Sequence, residues 1–158
     1  EGSEFYFLVE LQVYKGVLPD ACRKVEESAD MQFSGMHVLL AEDNDLNAEI
    51  AIELMKIMDI TVEWVNNGEQ AVKRFAERPI GFFDIILMDV NMPIKDGLTA
   101  TKEIRAMNRP DAAAIPIVAM TANTFQEDRE MASESGMTGF LSKPFDVAQL
   151  HIVLRQAV

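Results

Sequence analysis

One short stretch constrains the fold more than any other part of the chain. Residues 84–88 read Asp-Ile-Ile-Leu-Met, and Asp89, Pro93 and the pair Asp96-Gly97 follow them. A run that is apolar on both faces is typical of a parallel strand buried between two helical layers. Because proline cannot donate to a ladder and Asp-Gly favours a turn, the strand should end at Asp89. This carboxylate is therefore predicted at the carboxyl edge of a sheet, where open α/β folds bind ligands. Taken alone, a single Asp at this place is better explained as a plain cap of the strand end.

From Met36 onwards, apolar runs of strand length alternate with segments of helical spacing. Strands are predicted at 37–40, 61–65, 84–88, 115–120 and 139–142. Helices are predicted between them and after the last, with apolar positions at 50, 54, 57 and 58, at 71, 72 and 75, at 98, 104 and 107, and at 150, 153 and 154. The helix predicted at 124–135 is strongly polar and carries little apolar stripe. Asn44 or Asp45 should cap the first helix and Asp146 the last, and Trp64 should pack rather than bind a ligand. The alternation predicts an α/β fold: a doubly wound, five-stranded parallel sheet with helices on both faces.

The first 35 residues differ in character from the rest. Residues 1–14 alternate apolar and polar side chains as a strand does, but no hairpin partner follows them. A lone strand is not independently stable, so this orphan strand should pair with another copy of the chain or pack against the following domain. Residues 15–35 are predicted to be a linker, and residues 36–158 the α/β domain.

Composition excludes several classes of function. The formal net charge of −12 argues against nucleic-acid binding, and no apolar run approaches the length of a membrane span. With one cysteine, Cys22, and two histidines, an internal disulfide is impossible and a zinc site is disfavoured. We expect a reducing, cytoplasmic location without membrane contact by this fragment, while a membrane anchor elsewhere in a parent protein stays open.

Polar side chains stand at the predicted carboxyl ends of four strands. Glu42 and Asp43 follow the first strand, Asp89 the third, Thr121 the fourth and Lys143 the fifth. Because these ends lie at one edge of a parallel sheet, the five side chains should meet in a single crevice.

This set of groups suits phosphoryl chemistry. Three carboxylates repel one another by ~4 kcal/mol per pair at about 4 Å and an effective dielectric constant of about 20. Mg²⁺ relieves that repulsion and takes oxygen ligands from carboxylates, water and phosphate. Asp89 could then act as a nucleophile and form an acyl phosphate, with Lys143 and the Thr121 hydroxyl each covering a phosphoryl oxygen.

The motifs AEDN, ILMDVNMP, MTAN and SKPF, in this order and spacing, resemble the receiver domain of two-component response regulators over residues 36–158. The resemblance implies a flavodoxin-like sheet of order 2-1-3-4-5. It also implies that Asp89 accepts the phosphoryl group and that the domain catalyses its own phosphorylation and dephosphorylation. Mg²⁺ would be held by Glu42, Asp43, Asp89 and the backbone carbonyl of Asn91.

The same resemblance implies a conformational switch. Thr121 would move toward the phosphoryl group that Lys143 binds, and Phe140 would turn inward behind it; Phe140 as a plain core aromatic is the alternative. The Lys143–Pro144 step resembles one that is commonly cis in the family.

Two amides follow catalytic positions by two residues. Asn91 follows Asp89 and Asn123 follows Thr121, so both should stand near the path of an attacking water. We hypothesise that they tune the lifetime of the phosphoryl group; ordinary loop polarity is an equally good explanation.

The leading residues suggest the context of the domain. Gly2-Ser3-Glu4-Phe5 and the apolar alternation after it resemble the last strand of a histidine-kinase ATP-binding domain. A kinase remnant, a linker and a receiver together imply a hybrid sensor histidine kinase. The phosphoryl group would come from a kinase phosphohistidine, in the same polypeptide, and pass to a histidine phosphotransfer protein.

Two rival functions fit the sequence less well. Phosphohydrolases with an Asp nucleophile usually carry a second acid two residues on, where this chain has Asn91. A receiver-like interaction module without chemistry would not need all five side chains of the crevice. Both readings are therefore disfavoured.

Overall fold

The computed structural model of the chain describes residues 33–122 and 126–157. In chain order the elements are β1 (His37–Ala41), α1 (Asp45–Ile57), β2 (Thr61–Val65), α2 (Gly68–Glu77), β3 (Ile85–Asp89), α3 (Gly97–Arg105), α4 (Pro110–Ala114), β4 (Ile117–Thr121), α5 (Gln126–Ser135), β5 (Gly139–Ser142) and α6 (Val147–Ala157). The orphan strand of residues 1–14, most of the linker, Cys22 and Asn123 lie outside the described residues.

The five strands form one parallel sheet of order β2-β1-β3-β4-β5. Both the parallel pairing and the order are as predicted. The register aligns Ala41 with Met88, and Asp89 with Met120, so the strands end close to one line. The carboxyl ends of β1, β3, β4 and β5 therefore meet at one edge of the sheet.

Helices cover both faces of the sheet, which confirms the doubly wound architecture. One face packs against α2, α3, α4 and α5 through a cluster that includes Leu39, Met88, Phe75 and Ile104. The other packs against α1 and α6 through Val38, Leu87, Met55, Leu150 and further apolar side chains. Every residue of β3 and β4 is buried, as expected for the centre of such a sheet.

The caps of the first and last helices are as predicted. The Asn47 N–H donates to Asn44 Oδ1 at 3.0 Å at the start of α1, and the Gln149 N–H donates to Asp146 Oδ1 at 2.8 Å at the start of α6. The short helix α4, by contrast, was not predicted. It begins with Pro110 at its first turn and spans five residues, too few for a hydrophobic period to show in the sequence.

The orientation of α1 differs from what its largest apolar side chains suggest. The helix buries Ala48, Ala51 and Met55, whereas Ile50 and Ile57 are 50% and 62% exposed. Small side chains let the helix approach the sheet closely, and the bulky ones are left on the outer face. An apolar stripe thus faces solvent.

The core extends back to Phe33, within the segment predicted as a linker. Phe33 is buried among the side chains of the α1/α6 face, and its ring meets the His151 ring edge-on at 5.0 Å. The Ser34 hydroxyl donates to Asp59 Oδ2 at 2.5 Å, and the Met36 N–H donates to the Phe33 carbonyl at 3.0 Å. Residues 33–36 are therefore fastened to both α6 and the α1–β2 turn.

Within the described ranges, no helix has both the length and the apolar character that crossing a bilayer requires.

Candidate active site

Three charged side chains of the crevice lie at the carboxyl ends of three strands. Glu42 directly follows β1, Asp89 is the last residue of β3, and Lys143 directly follows β5. Alternation along the strands places all three on the face that α1 and α6 cover. The structure thus brings together residues that are up to 101 positions apart in sequence.

The ammonium of Lys143 lies between two carboxylates. Lys143 Nζ donates to Asp89 Oδ2 at 2.6 Å and also to Glu42 Oε2. The three side chains are only 15%, 9% and 3% exposed, respectively, so little water screens these charges. In this arrangement the lysine offsets the repulsion between two buried acids.

A third acid completes a cluster that suits a divalent cation. Carboxylate oxygens of Glu42, Asp43 and Asp89 all lie within 4.8 Å of one another, and Asp43 is exposed to solvent. Three oxygen donors at this spacing, one of them open to water, fit the hard-cation chemistry of Mg²⁺. The predicted fourth ligand, the Asn91 carbonyl, remains a prediction.

Burial raises the pKa of the Asp89 carboxyl above its ordinary value of 3.8. The Lys143 ammonium and the Asn91 N–H, which donates to Asp89 Oδ1 at 3.0 Å, act in the opposite direction. A carboxylate that is desolvated yet held by two donors is more basic than a surface aspartate and is fixed in position. Both properties favour a nucleophilic role.

Glu42 is held by two residues that the sequence reasoning did not assign to the site. Asn47 Nδ2 donates to Glu42 Oε1 at 2.9 Å, and Trp64 Nε1 donates to the Glu42 carbonyl at 2.9 Å. For Asn47 there was a signal: the cap at Asn44 places Asn47 in the first turn of α1, above the strand end. For Trp64 there was none, because the contact depends on the pairing of β2 with β1.

Thr121 and Phe140 lie on the other face of the sheet. Thr121 ends β4 and is buried, and the register pairs Ala119 with Phe140, so Phe140 shares its face with Thr121 on the adjacent strand. The Phe140 ring is half-buried, with the Arg129 guanidinium 5.6 Å from its centroid. Their switching role stays a prediction, whereas the predicted cis peptide between Lys143 and Pro144 is present.

The loop after β3 is folded tightly against Asp89. The Gly97 N–H donates to the Val90 carbonyl at 3.0 Å, and a Cβ at position 97 would lie 2.1 Å from the Asp89 carbonyl oxygen. Within the loop, Ile94 adopts a φ of 69° and is 80% exposed. A β-branched residue in the left-handed region is strained, and such residues concentrate at functional sites.

Comparison with known sequences agrees with this geometry. Residues 38–155 match the response regulator receiver domain. The chain belongs to the response regulator receiver family. It is 36% identical over 122 residues, 77% of its length, to the hybrid signal transduction histidine kinase M of Dictyostelium discoideum, of which it covers 5%.

Solved receiver structures share the fold. The receiver domain of the sensor histidine kinase PA1611 from Pseudomonas aeruginosa, crystallised with a magnesium ion coordinated in its active-site cleft, superposes with a TM-score of 0.71 at 37% identity, covering 78% of this chain and 98% of that one. The receiver domain of Ssk1 from Saccharomyces cerevisiae, solved with the histidine phosphotransfer protein Ypd1, gives a TM-score of 0.68 at 29% identity, covering 78% and 92%.

The receiver is a small part of the proteins it resembles. The chain spans between 5% and 17% of the length of the curated relatives that it matches.

Proposed function

We propose that this receiver takes a phosphoryl group from a kinase phosphohistidine onto Asp89, with Mg²⁺, and passes it to a histidine phosphotransfer protein. The observation that carries the proposal is the bridge of Lys143 between Asp89 and Glu42, with Asp43 completing the acidic cluster. The parent protein would be a hybrid sensor histidine kinase in the cytoplasm, as the similarity to such kinases supports.

Each side chain of the site would have a different role in the transfer. An Asp89 carboxylate oxygen attacks phosphorus as the bond to the donor imidazole nitrogen breaks, and the imidazole leaves with that electron pair. Lys143, already within 2.6 Å of Asp89, covers one oxygen of the transferred group, and the Thr121 hydroxyl covers another. Attack by the imidazole of a phosphotransfer protein reverses this step, and attack by water releases inorganic phosphate instead. In both cases the bond between Asp89 and phosphorus breaks, and Asp89 leaves as a carboxylate.

Glu42, Asp43, Asp89 and the backbone carbonyl of Asn91 would hold the Mg²⁺. When bound, the ion neutralises the charge that three acids and a phosphoryl group bring together. The clustering of the three carboxylates supports this assignment.

Phosphorylation would be read out through Thr121 and Phe140. Both lie on the α5 side of the sheet, so a movement of Thr121 toward Asp89 frees space that Phe140 can fill. We further propose that Asn91 and Asn123 tune the lifetime of the phosphoryl group. An unchanged dephosphorylation rate after substituting each amide would contradict that role.

Apolar side chains around the crevice support a protein acceptor rather than a small molecule. Leu46 and Ile50 stand exposed on the first two turns of α1, Ile94 protrudes from the β3–α3 loop, and Pro144 is exposed beside Lys143. A histidine phosphotransfer protein, like the partner of the Ssk1 receiver, would cover this rim while its histidine reaches Asp89.

The test is the intact mass of the protein after incubation with a small-molecule phosphodonor, with and without Mg²⁺, alongside Asp89→Ala. We expect a Mg²⁺-dependent gain of one phosphoryl group that the variant lacks. Adding a histidine phosphotransfer protein should then move the label onto its histidine. No gain in a folded protein that binds Mg²⁺ would overturn the proposal in favour of an interaction module.

A further inference from the structure

We propose that Trp64 is a positioning residue for the acidic pair Glu42–Asp43, and that its indole N–H sets the affinity of the site for Mg²⁺. The inference rests on the proposed function. It starts from the hydrogen bond of 2.9 Å between Trp64 Nε1 and the Glu42 carbonyl oxygen.

That carbonyl belongs to the peptide unit that joins two of the three acids in the cluster. Because a peptide unit is planar, fixing the Glu42 carbonyl also fixes the direction of the Asp43 N–H and the position of the Asp43 Cα, from which the side chain extends. On its other side, the Glu42 N–H donates to the Val65 carbonyl at 3.0 Å. Two adjacent residues of β2 therefore clamp the backbone of Glu42 from both sides.

The Glu42 side chain is held as well, but by groups outside β2. Asn47 and Lys143 each donate to one of its carboxylate oxygens. Asp43, in contrast, is exposed, so its backbone contributes more to the placement of its carboxylate than side-chain packing does. The hydrogen bond from Trp64 thus acts on the backbone next to Asp43, the acid of the cluster that side-chain packing constrains least.

Core packing does not account for the orientation of Trp64. The residue lies on β2, the edge strand next to β1, and it is 40% exposed. Trp64 is paired with Leu40 in the β1–β2 register. The indole therefore has to extend beyond the last paired residues of the two strands to reach the carbonyl of Glu42, two residues after Leu40. An indole N–H seeks an acceptor, and here that acceptor is the backbone of a metal-site acid.

Outer contacts that orient metal ligands commonly change metal affinity by about tenfold or more when they are removed. We therefore expect Trp64→Phe, which keeps an aromatic ring and deletes the donor, to bind Mg²⁺ about tenfold more weakly. Because the defect lies in binding, saturating Mg²⁺ should restore the rate at which a small phosphodonor phosphorylates Asp89.

The experiment measures Mg²⁺ binding by calorimetry for the wild-type protein, Trp64→Phe and Thr61→Ala. Thr61 is exposed at the start of the same edge strand, far from Glu42, and controls for general loosening of β2. Trp64 is also the single tryptophan of the chain, so its fluorescence should follow Mg²⁺ in the wild-type protein with the same dissociation constant.

A second replacement isolates the N–H group itself. Exchange of the single tryptophan for 3-benzothienyl-alanine keeps the shape of the ring and substitutes sulfur for the N–H. Weaker Mg²⁺ binding in this protein, with a melting temperature in metal-free buffer close to that of the wild type, supports the inference even where Trp64→Phe folds poorly.

Equal Mg²⁺ affinity in the wild-type and benzothienyl proteins overturns the positioning role while leaving the proposed function intact. Equal losses of Mg²⁺ affinity in Trp64→Phe and Thr61→Ala also overturn the positioning role, because they would show a general loosening of β2. A wild-type protein that neither binds Mg²⁺ nor gains a phosphoryl group overturns the proposed function together with this inference.

Discussion

Lys143 is a counter-ion in the site as it stands, as well as the proposed ligand of the phosphoryl group. Its ammonium contacts Asp89 at 2.6 Å on one side and Glu42 on the other. A metal ion bound at the acidic cluster would use the same two carboxylates. An Mg²⁺ ion held by the same acids would lie close to this ammonium, and two cations so close repel each other. Lys143 therefore opposes Mg²⁺ binding electrostatically.

Replacing Lys143 should strengthen Mg²⁺ binding while it weakens phosphorylation. Lys143→Met removes a positive charge next to the cluster, and at a separation of about 5 Å this corresponds to about tenfold tighter Mg²⁺ binding or more, even with the dielectric constant of bulk water. Calorimetry measures the affinity, and intact mass measures the slower phosphorylation. Lys95→Met is the matched control, because Lys95 pairs with Glu103 at 2.5 Å instead of with the cluster. Unchanged or weaker Mg²⁺ binding in Lys143→Met would show that the lysine does not compete with the metal.

Among the elements, α3 depends on a glycine that lets it start against the catalytic strand. A Cβ on Gly97 would approach the Asp89 carbonyl oxygen to 2.1 Å and Met88 Cγ to 2.9 Å. Because the nearest atom belongs to the backbone of the central strand, no rotamer change relieves the overlap.

Gly97→Ala should therefore destabilise the domain by about 2 kcal/mol or more and displace Asp89. Urea unfolding measures the first effect and the extent of phosphorylation the second. Gly139→Ala is the comparison, since its Cβ would meet the Val118 side chain at 3.2 Å, a contact that a small side-chain shift can relieve. Similar losses of stability in the two variants would contradict the backbone overlap.

Phe33 anchors the entry of the chain to α6. Phe33→Ala removes a buried ring from the α1/α6 core and its contact with His151, so we expect a loss of about 3 kcal/mol in the free energy of unfolding. Ile152→Ala, on the same helix but 55% exposed, should change it by less than about 0.5 kcal/mol. Chemical denaturation of the two variants decides whether residues before Met36 contribute to the fold.

At the scale of the whole molecule, the ion pair between Arg109 and Asp111 should make the stability of the domain depend on pH in acid. Arg109 donates to both carboxylate oxygens of Asp111 at 2.7 Å and to the Phe75 carbonyl at the end of α2, while Asp111 Oδ2 also accepts from the Gly81 N–H. The hydrogen bonds from Arg109 lower the pKa of Asp111 from 3.8 to about 2. The pair thereby connects α2 with α4.

A lowered pKa means that the ionised form of Asp111 stabilises the folded state above about pH 4, and that this stability is lost as the pH falls toward 2. Asp111→Asn should be less stable than the wild type by about 1 kcal/mol at pH 6, and the difference should shrink below pH 4. Urea unfolding between about pH 2 and pH 6 measures this difference in the free energy of unfolding. Glu49→Gln, at an exposed position on α1, is the control. A difference that does not vary with pH would assign the effect to shape rather than to charge.

The self-association of the whole molecule is predicted to depend on its first residues. The apolar alternation in residues 1–14 led us to expect pairing with another copy or packing on the receiver. Deleting these residues should therefore lower the molecular mass in solution or the melting temperature, which light scattering and calorimetry measure. If neither changes, the strand has no such role.

The sequence by itself determined the fold class and the edge of the sheet at which Glu42, Asp89, Thr121 and Lys143 stand. Apolar runs that end in Glu42, Asp89, Thr121 and Lys143 were enough, because parallel strands bring their carboxyl ends to one edge whatever the details of packing. The caps at Asn44 and Asp146 could be predicted for a similar reason: they depend on residues only three positions apart.

Only the tertiary structure decided which apolar side chains are buried and which neighbours hold the acids. Helix α1 is apolar on two faces, and the close approach of Ala48 and Ala51 to the sheet, rather than hydrophobicity, turned Ile50 outward. Phe33 and Trp64 make contacts across 118 and 22 positions, respectively, and these depend on helix placement and strand register. Local sequence carries no signal for contacts that exist only once separate elements have been brought together.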